Sequence, residues 1–294
     1  MTTVNSNEMP NVNANNKGNT IKLATIQLAS SMDKAKDLEK LDAYLADLSA
    51  KQTDIACLPE MWNCPYVGDR FKDYAEPDGG TVWQACSAMA RKYKLYLCAG
   101  TVAELGEDGR IYNTAYVFDR DGNQIHKYRK MHMFDIYSPD GKPIFLESAS
   151  LGAGNTISTF ETEWGKMGMQ VCFDIRFPEL SRLMAIEGAK VIITPATFSM
   201  TTGPCHWQIS FQARAMENQV FMVGSAPARA PETGYTSWSH SIVCDPWGRV
   251  LTLMDENEGA SITELDLALI EKCRSKLPML SARRSDVYKL SLQD

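Results

Sequence analysis

The chain lacks the features that would place it in a membrane, on nucleic acid or around zinc. No uninterrupted apolar stretch approaches the ~20 residues that a bilayer-spanning helix needs. Basic residues never run beyond two together, as at Arg283-Arg284, and the net charge is −6. No basic stripe is interleaved with aromatics, so the electrostatic footprint of a nucleic-acid binder is missing. The four histidines (126, 132, 206 and 240) show no HxH or HExxH spacing, and none of the eight cysteines forms a CxxC pair. Zinc-ligand spacing is therefore absent. The cysteines, at 57, 64, 86, 98, 172, 205, 244 and 273, are scattered, several among apolar neighbours. That pattern fits buried thiols in a reduced, cytoplasmic protein better than a disulfide framework. The first residues hold no basic segment followed by an apolar one, so no secretory signal is expected. Residues 1–19 contain seven Asn and one Lys and read as a disordered tail.

What remains is 294 residues with 44% hydrophobic content, enough for a large core. Residues 20–290 read as a single domain with no interdomain linker. Ile21 to Leu28 alternates as a strand, and Asp33 caps a helix to about Ala50 with Leu38, Leu41, Leu45 and Leu48 on one face. Asp54 to Leu58 is a short buried strand, so a βαβ unit opens the chain. A helix over 81–92 follows, then strands over 95–102 and 111–118. Asp121-Gly122 turns the last of these into Gln124–Tyr128. Phe134 to Gly154 shows no period and holds Pro and Gly breaks, which reads as a long functional loop. The second half again has a hairpin, an elbow, a helix and a buried strand ending in proline. DIACLPE in the first half answers to KVIITPA in the second. Two pseudo-repeated halves suggest a sandwich of two sheets covered by helices.

The elbow is the stretch Lys166 to Leu180, KMGMQVCFDIRFPEL. Cys172 lies where an apolar strand ends and a sharp turn leads into a helix. At the carboxyl end of such a strand a thiol faces a crevice. Free turn N–H groups and a nearby helix N-terminus would favour the thiolate. Asp174 and Arg176 should be solvated or paired. The plainer reading is a small apolar residue closing a core strand. Other strand ends supply Glu60, just after Pro59, and Lys130, while Glu147 sits on the adjoining loop. Each also has a plain reading: a solvated carboxylate, a hairpin-end lysine. His132 reads as a structural hydrogen-bonding histidine.

Together the motifs Leu58-Pro-Glu60, Tyr128-Arg-Lys130-Met-His132 and Val171-Cys172-Phe-Asp-Ile-Arg176-Phe-Pro-Glu-Leu180 resemble the nitrilase superfamily of carbon–nitrogen hydrolases. The phrases RKMHMFDI, FLESASLGAG, TTGPCHW, RAMENQ and DPWGRVL are most similar to its Nit2-like ω-amidase branch. The resemblance covers residues 21–290. It implies an α/β fold, the four-layer α-β-β-α sandwich of carbon–nitrogen hydrolases, and an amidase that needs neither metal nor organic cofactor. It puts the Glu–Lys–Cys triad on Glu60, Lys130 and Cys172, with Glu147 as a second glutamate. The Cys172 thiolate would attack the amide carbonyl. Glu60 would take and return its proton. Lys130 and the Phe173 N–H would face the oxyanion.

The implied substrate is a small ω-amide of a dicarboxylic acid, such as α-ketoglutaramate or succinamate, cleaved through a thioester with release of ammonia. Its far carboxylate needs a cation, and Arg176, four residues past the thiol, offers a bidentate fork. A structural Arg176 paired with Asp174 or Glu179 is the alternative. Thr202 and the Phe198 backbone suit the same carboxylate. Tyr66 and Phe134 are pocket walls or ordinary core. Cys205 before His206, and Met-Trp after Glu60, depart from the branch. A deaminated glutathione amidase, an N-carbamoyl amidohydrolase or a non-catalytic scaffold stay as alternatives. The resemblance implies a homodimer, with Trp238, Trp247 and the C-terminal segment as candidate anchors.

Overall fold

The computed structural model describes residues 18–157 and 159–292. The expected N-terminal tail therefore lies, through residue 17, outside the described residues. In chain order the first half contains β1 (Thr20–Gln27), α1 (Lys34–Ala50), β2 (Ile55–Cys57), α2 (Phe71–Tyr74), β3 (Glu76–Pro77), α3 (Thr81–Tyr93), β4 (Tyr96–Leu105), β5 (Ile111–Phe118) and β6 (Gln124–Arg129). The small hairpin β7 (Asp135–Tyr137) and β8 (Pro143–Leu146) comes next. The second half runs through β9 (Thr159–Thr162), β10 (Gly165–Met169), α4 (Pro178–Ile186), β11 (Val191–Pro195), α5 (Gly203–Asn218), β12 (Phe221–Ser225), β13 (Ile242–Cys244) and β14 (Val250–Leu253). β15 (Gly259–Asp266) and α6 (Ala268–Lys276) close the chain.

Local chemistry sets these elements. The Asp33 carboxylate accepts from the amides of Ala35 and Lys36 and starts α1. Leu41, Leu45 and Leu48 then form its buried face. Each such leucine contributes roughly 1.5–3 kcal/mol by leaving water. Together with Val82, Cys86 and Ala90 of α3 they cover Ala24 and Ile26 of β1. The opposite face of β1, Ile21 and Leu23, joins Met167, Met169 and Val223 in the core between the sheets. On the far side α4 and α5 bring Met184 and Phe211. The result is the four-layer α-β-β-α sandwich, helices outside and two sheets within.

The two sheets are built alike. The first has the order β15-β1-β2-β4-β5-β6, with β3 beside β4, and the second has β9-β10-β11-β12-β13-β14. In each, an antiparallel edge strand leads into three parallel strands and then two antiparallel ones. The matching strands at third place are β2 and β11, the DIACLPE and KVIITPA strands. Their carboxyl ends, with that of β10, open toward one site.

One sequence expectation changes. Phe134–Gly154 is not a structureless loop, because β7 pairs with β8 and a 3₁₀ turn holds Glu147–Ala149. In addition, α4 begins at Pro178, with a separate 3₁₀ turn, Cys172–Arg176, between it and β10.

Candidate active site

Glu60 reaches the site because its backbone is clamped to β4. Leu58 N donates to Cys98 O, Thr101 N to Pro59 O, Met61 N to Thr101 Oγ1 and the Trp62 indole to Ala99 O. This close approach requires Gly100, whose φ is +57° and whose Cβ, if present, would lie 2.1 Å from the Pro59 carbonyl oxygen. The Glu60 carboxylate is then enclosed. Oε1 accepts from Asn113 Nδ2 (2.8 Å) and Lys130 Nζ (3.0 Å), and Oε2 from Thr197 N (2.8 Å). Thr197 follows β11, so equivalent strand ends of the two halves meet across this bond.

Lys130 continues β6. Its amide donates to Asn113 O and its carbonyl accepts from Gly154 N. Its ammonium also meets Glu147 at 2.8 Å. The side chains of Lys130, Glu60 and Glu147 have no solvent exposure. Glu147 is fixed further by Tyr66 OH (2.9 Å) and Phe134 N (2.7 Å). Tyr66 is thus part of the polar cluster as well as an aromatic wall against Phe145 and Tyr235.

Cys172 sits in the turn with φ +47°, a conformation rare outside glycine, which aims the thiol off the strand end. The thiol lies against the Glu60 carboxylate and 3.7 Å from Thr197 O. Tyr235 OH points to that same carbonyl (3.4 Å). Phe173 follows, its ring edge-on to Phe134 at 5.2 Å and to Phe177 at 5.4 Å.

Charge in this enclosure follows from burial. Burial would lower the Lys130 ammonium, but Glu147 and Glu60 outweigh it and hold it well above the usual lysine range. Burial raises the Glu60 carboxyl above its ordinary value; Lys130 opposes and Glu147 reinforces that rise. Burial, followed by the Glu60 charge, pushes the Cys172 thiol well up, with Lys130 pulling the other way. This corrects the expectation of a resting thiolate. The α-helix after the turn begins only at Pro178, and burial and the Glu60 carboxylate dominate the surroundings of the thiol. Burial and the Glu60 charge thus favour the thiol over the thiolate at Cys172.

Asp174 is paired rather than solvated, one of the two states expected of it. It is fully buried, and it takes hydrogen bonds from Tyr128 OH (2.8 Å), Val171 N (2.9 Å) and His132 N (3.0 Å), with His132 Nδ1 at 2.7 Å. It ties the end of β6 to the cysteine turn, and His132 is its partner. Arg176 pairs with neither Asp174 nor Glu179, and among the described residues it has no carboxylate partner. Its guanidinium lies 4.8 Å over the Phe198 ring, and burial lowers its pKa. The Phe198 carbonyl accepts from Trp238 N, so its visible contribution beside Arg176 is the ring. Thr202 is half-buried ahead of α5, its hydroxyl 3.2 Å from Ser199 Oγ.

Sequence reasoning missed Asn113, Thr197 and Tyr235. Asn113 left a trace as an amide inside the apolar strand IYNTAYVF. Thr197 left one as the residue two past the repeated strand-end proline. Tyr235 left none.

The carbon–nitrogen hydrolase sequence profile matches residues 22–275. The omega-amidase NIT2 of Mus musculus is 39% identical over 270 residues, covering 92% of this chain and 97% of that protein. The crystal structure of Saccharomyces cerevisiae Nit3, a member of branch 10 of the nitrilase superfamily, superposes with a TM-score of 0.83 at 37% identity, over 90% of this chain and 97% of that one. The Caenorhabditis elegans NitFhit protein gives a TM-score of 0.87 at 29% identity, over 94% of this chain and 68% of its own.

Proposed function

The chain belongs to the carbon–nitrogen hydrolase family, and we propose that it works as an ω-amidase, an amidase acting on carbon–nitrogen bonds other than peptide bonds. It hydrolyses small linear ω-amides of dicarboxylic acids, of the α-ketoglutaramate and succinamate type. The observation that carries this reading is one enclosure in which the Cys172 thiol adjoins Glu60, Glu60 adjoins Lys130, and Arg176 waits nearby without an acid.

Glu60 takes the thiol proton as sulfur attacks the amide carbonyl. The Lys130 ammonium and the Phe173 N–H receive the developing oxyanion. One such donor is typically worth ~10²–10³ in rate. The tetrahedral adduct collapses to a thioester while Glu60 passes its proton to the departing nitrogen, which leaves as ammonia. Glu60 then takes a proton from water, the hydroxide adds to the thioester, and the sulfur leaves and regains the proton. Glu147 holds Lys130 in place throughout. The far carboxylate is met by Arg176, with Thr202 beside it, while Tyr66, Phe134 and Phe198 bound the pocket. The active assembly is a homodimer. Its supporting surface is the exposed Ile209, Met216 and Trp247, while Trp238 is half-buried and stacked on His240. A monomer in sedimentation equilibrium would remove that part.

The test is ammonia release from α-ketoglutaramate, succinamate, deaminated glutathione and N-carbamoyl-β-alanine, with Cys172→Ala alongside. Fast release from the first two, lost in the variant, is expected. Release only from the last two would keep the cysteine chemistry and overturn the substrate assignment. A folded protein silent on all four would leave a scaffold.

A further inference from the structure

Arg176 is held in an unusual way for a half-buried cation beside a catalytic pocket. Its guanidinium carbon lies over the rings of Phe198 (4.8 Å) and Phe173 (5.8 Å). Aromatic faces fix the plane of a guanidinium but leave it free to turn within that plane. A single polar contact removes this freedom: Nη1 lies 3.0 Å from Nδ1 of His206. The backbone of His206 is placed firmly, while its ring is exposed. It stands in the first turn of α5, its amide donating to Thr202 O, and the next residue, Trp207, is buried with its ring 5.1 Å from Phe198 and its indole N–H on His240 O.

The chemistry of the contact matters as much as its length. Arginine donates only, so Nδ1 accepts and the ring carries its proton on Nε2. An uncharged acceptor orients the guanidinium without neutralising it. It occupies one edge, at Nη1, and leaves the Nε and Nη2 edge free for a bidentate carboxylate. An Asp or Glu in the same place would hold the arginine equally well and cancel the charge that a substrate carboxylate needs.

We propose that His206 is a positioning residue that orients Arg176, through a neutral hydrogen bond, for the far carboxylate of the substrate. This rests on the ω-amide reading of the site. It makes His206 a determinant of the choice between carboxylated and uncharged amides.

The experiment compares kcat/KM for succinamate with that for butyramide, which has a methyl group in place of the carboxylate. His206→Ala lowers the succinamate-to-butyramide ratio about tenfold, mainly through KM, as expected for a lost hydrogen bond to a charged group. His206→Asn restores most of it, because Oδ1 takes the place of Nδ1. His206→Glu does not, although it can still bond the guanidinium. Arg176→Gln, run in parallel, drops the ratio to that of a pocket without a cation. If Arg176→Gln leaves the preference intact, the carboxylate clamp itself is wrong and the proposal goes with it. If only Arg176→Gln changes the ratio, the clamp stands and the role of His206 is overturned. An equal loss on both amides in His206→Ala, or full activity in His206→Glu, overturns it as well.

Discussion

A fully buried ammonium between two carboxylates governs which proton moves in this site. Lys130 stays charged because Glu147 and Glu60 outweigh its burial, and Glu60 is raised because burial and Glu147 outweigh Lys130. As base, Glu60 must be ionised. Its raised pKa therefore sets an acid limb in kcat/KM above the ordinary glutamate value of 4.5, with activity lost as pH falls through it. The cluster titrates as a unit. Glu147→Gln removes a charge that raises Glu60, so the limb should move to lower pH, while kcat drops about 10²–10³-fold as Lys130 loses its support. A pH–rate profile of the variant checks both, and a limb that stays put or rises would contradict the coupling. Glu60, Lys130 and Cys172 were legible in the sequence because each follows a strand end, and Glu147 because it lies on the long loop beside them. Asn113 and Thr197 were not, since their function is to hold other side chains, and no spacing announces a backbone amide aimed at a carboxylate.

Strand ends, more than individual side chains, decide the geometry. The segment 58–62 lies flush on β4 only because Gly100 has no Cβ. Gly100→Ala would press a methyl group against the Pro59 carbonyl in a positive-φ conformation, costing roughly 1–3 kcal/mol. Displacing Glu60 by even a fraction of an ångström should reduce kcat by up to about 10²-fold. Thermal denaturation together with kcat tests this. A variant that is less stable but fully active would show that the clamp does not position Glu60. At this scale the periods of β1 and α1 read clearly, because each is long enough to show its repeat. The β7–β8 hairpin did not, since strands of three and four residues carry no detectable alternation and their pairing holds Glu147 rather than a core. The elbow also suggested a thiolate at Cys172, whereas burial and the Glu60 charge favour the thiol, and burial of a single side chain leaves no mark in the sequence.

The whole molecule is a pair of like sheets whose third strands, β2 and β11, deliver Glu60 and Thr197 to one bond. The repeat of a strand ending in proline was visible beforehand, but the bond between its copies was not. Among the described residues no helix is long and apolar enough to cross a membrane. Stability as a function of pH also belongs to this scale. His126, stacked on Phe160 near the join of the sheets, has its pKa lowered by burial from 6.5 to about 4. The unfolded chain then binds a proton that the fold refuses. Stability is complete above pH 6.5 and falls as pH drops toward 4, by about 3 kcal/mol for this group. His126→Phe should flatten that slope in denaturant titrations between the two pH values; an unchanged slope would place the acid sensitivity elsewhere. The central claim, that ω-amide hydrolysis passes through sulfur, has one direct measurement: peptide mass spectrometry of the enzyme acid-quenched during succinamate turnover. The account predicts a succinyl thioester on the peptide bearing Cys172. Steady turnover with that peptide unmodified at every quench time, and undiminished in Cys172→Ala, would contradict it.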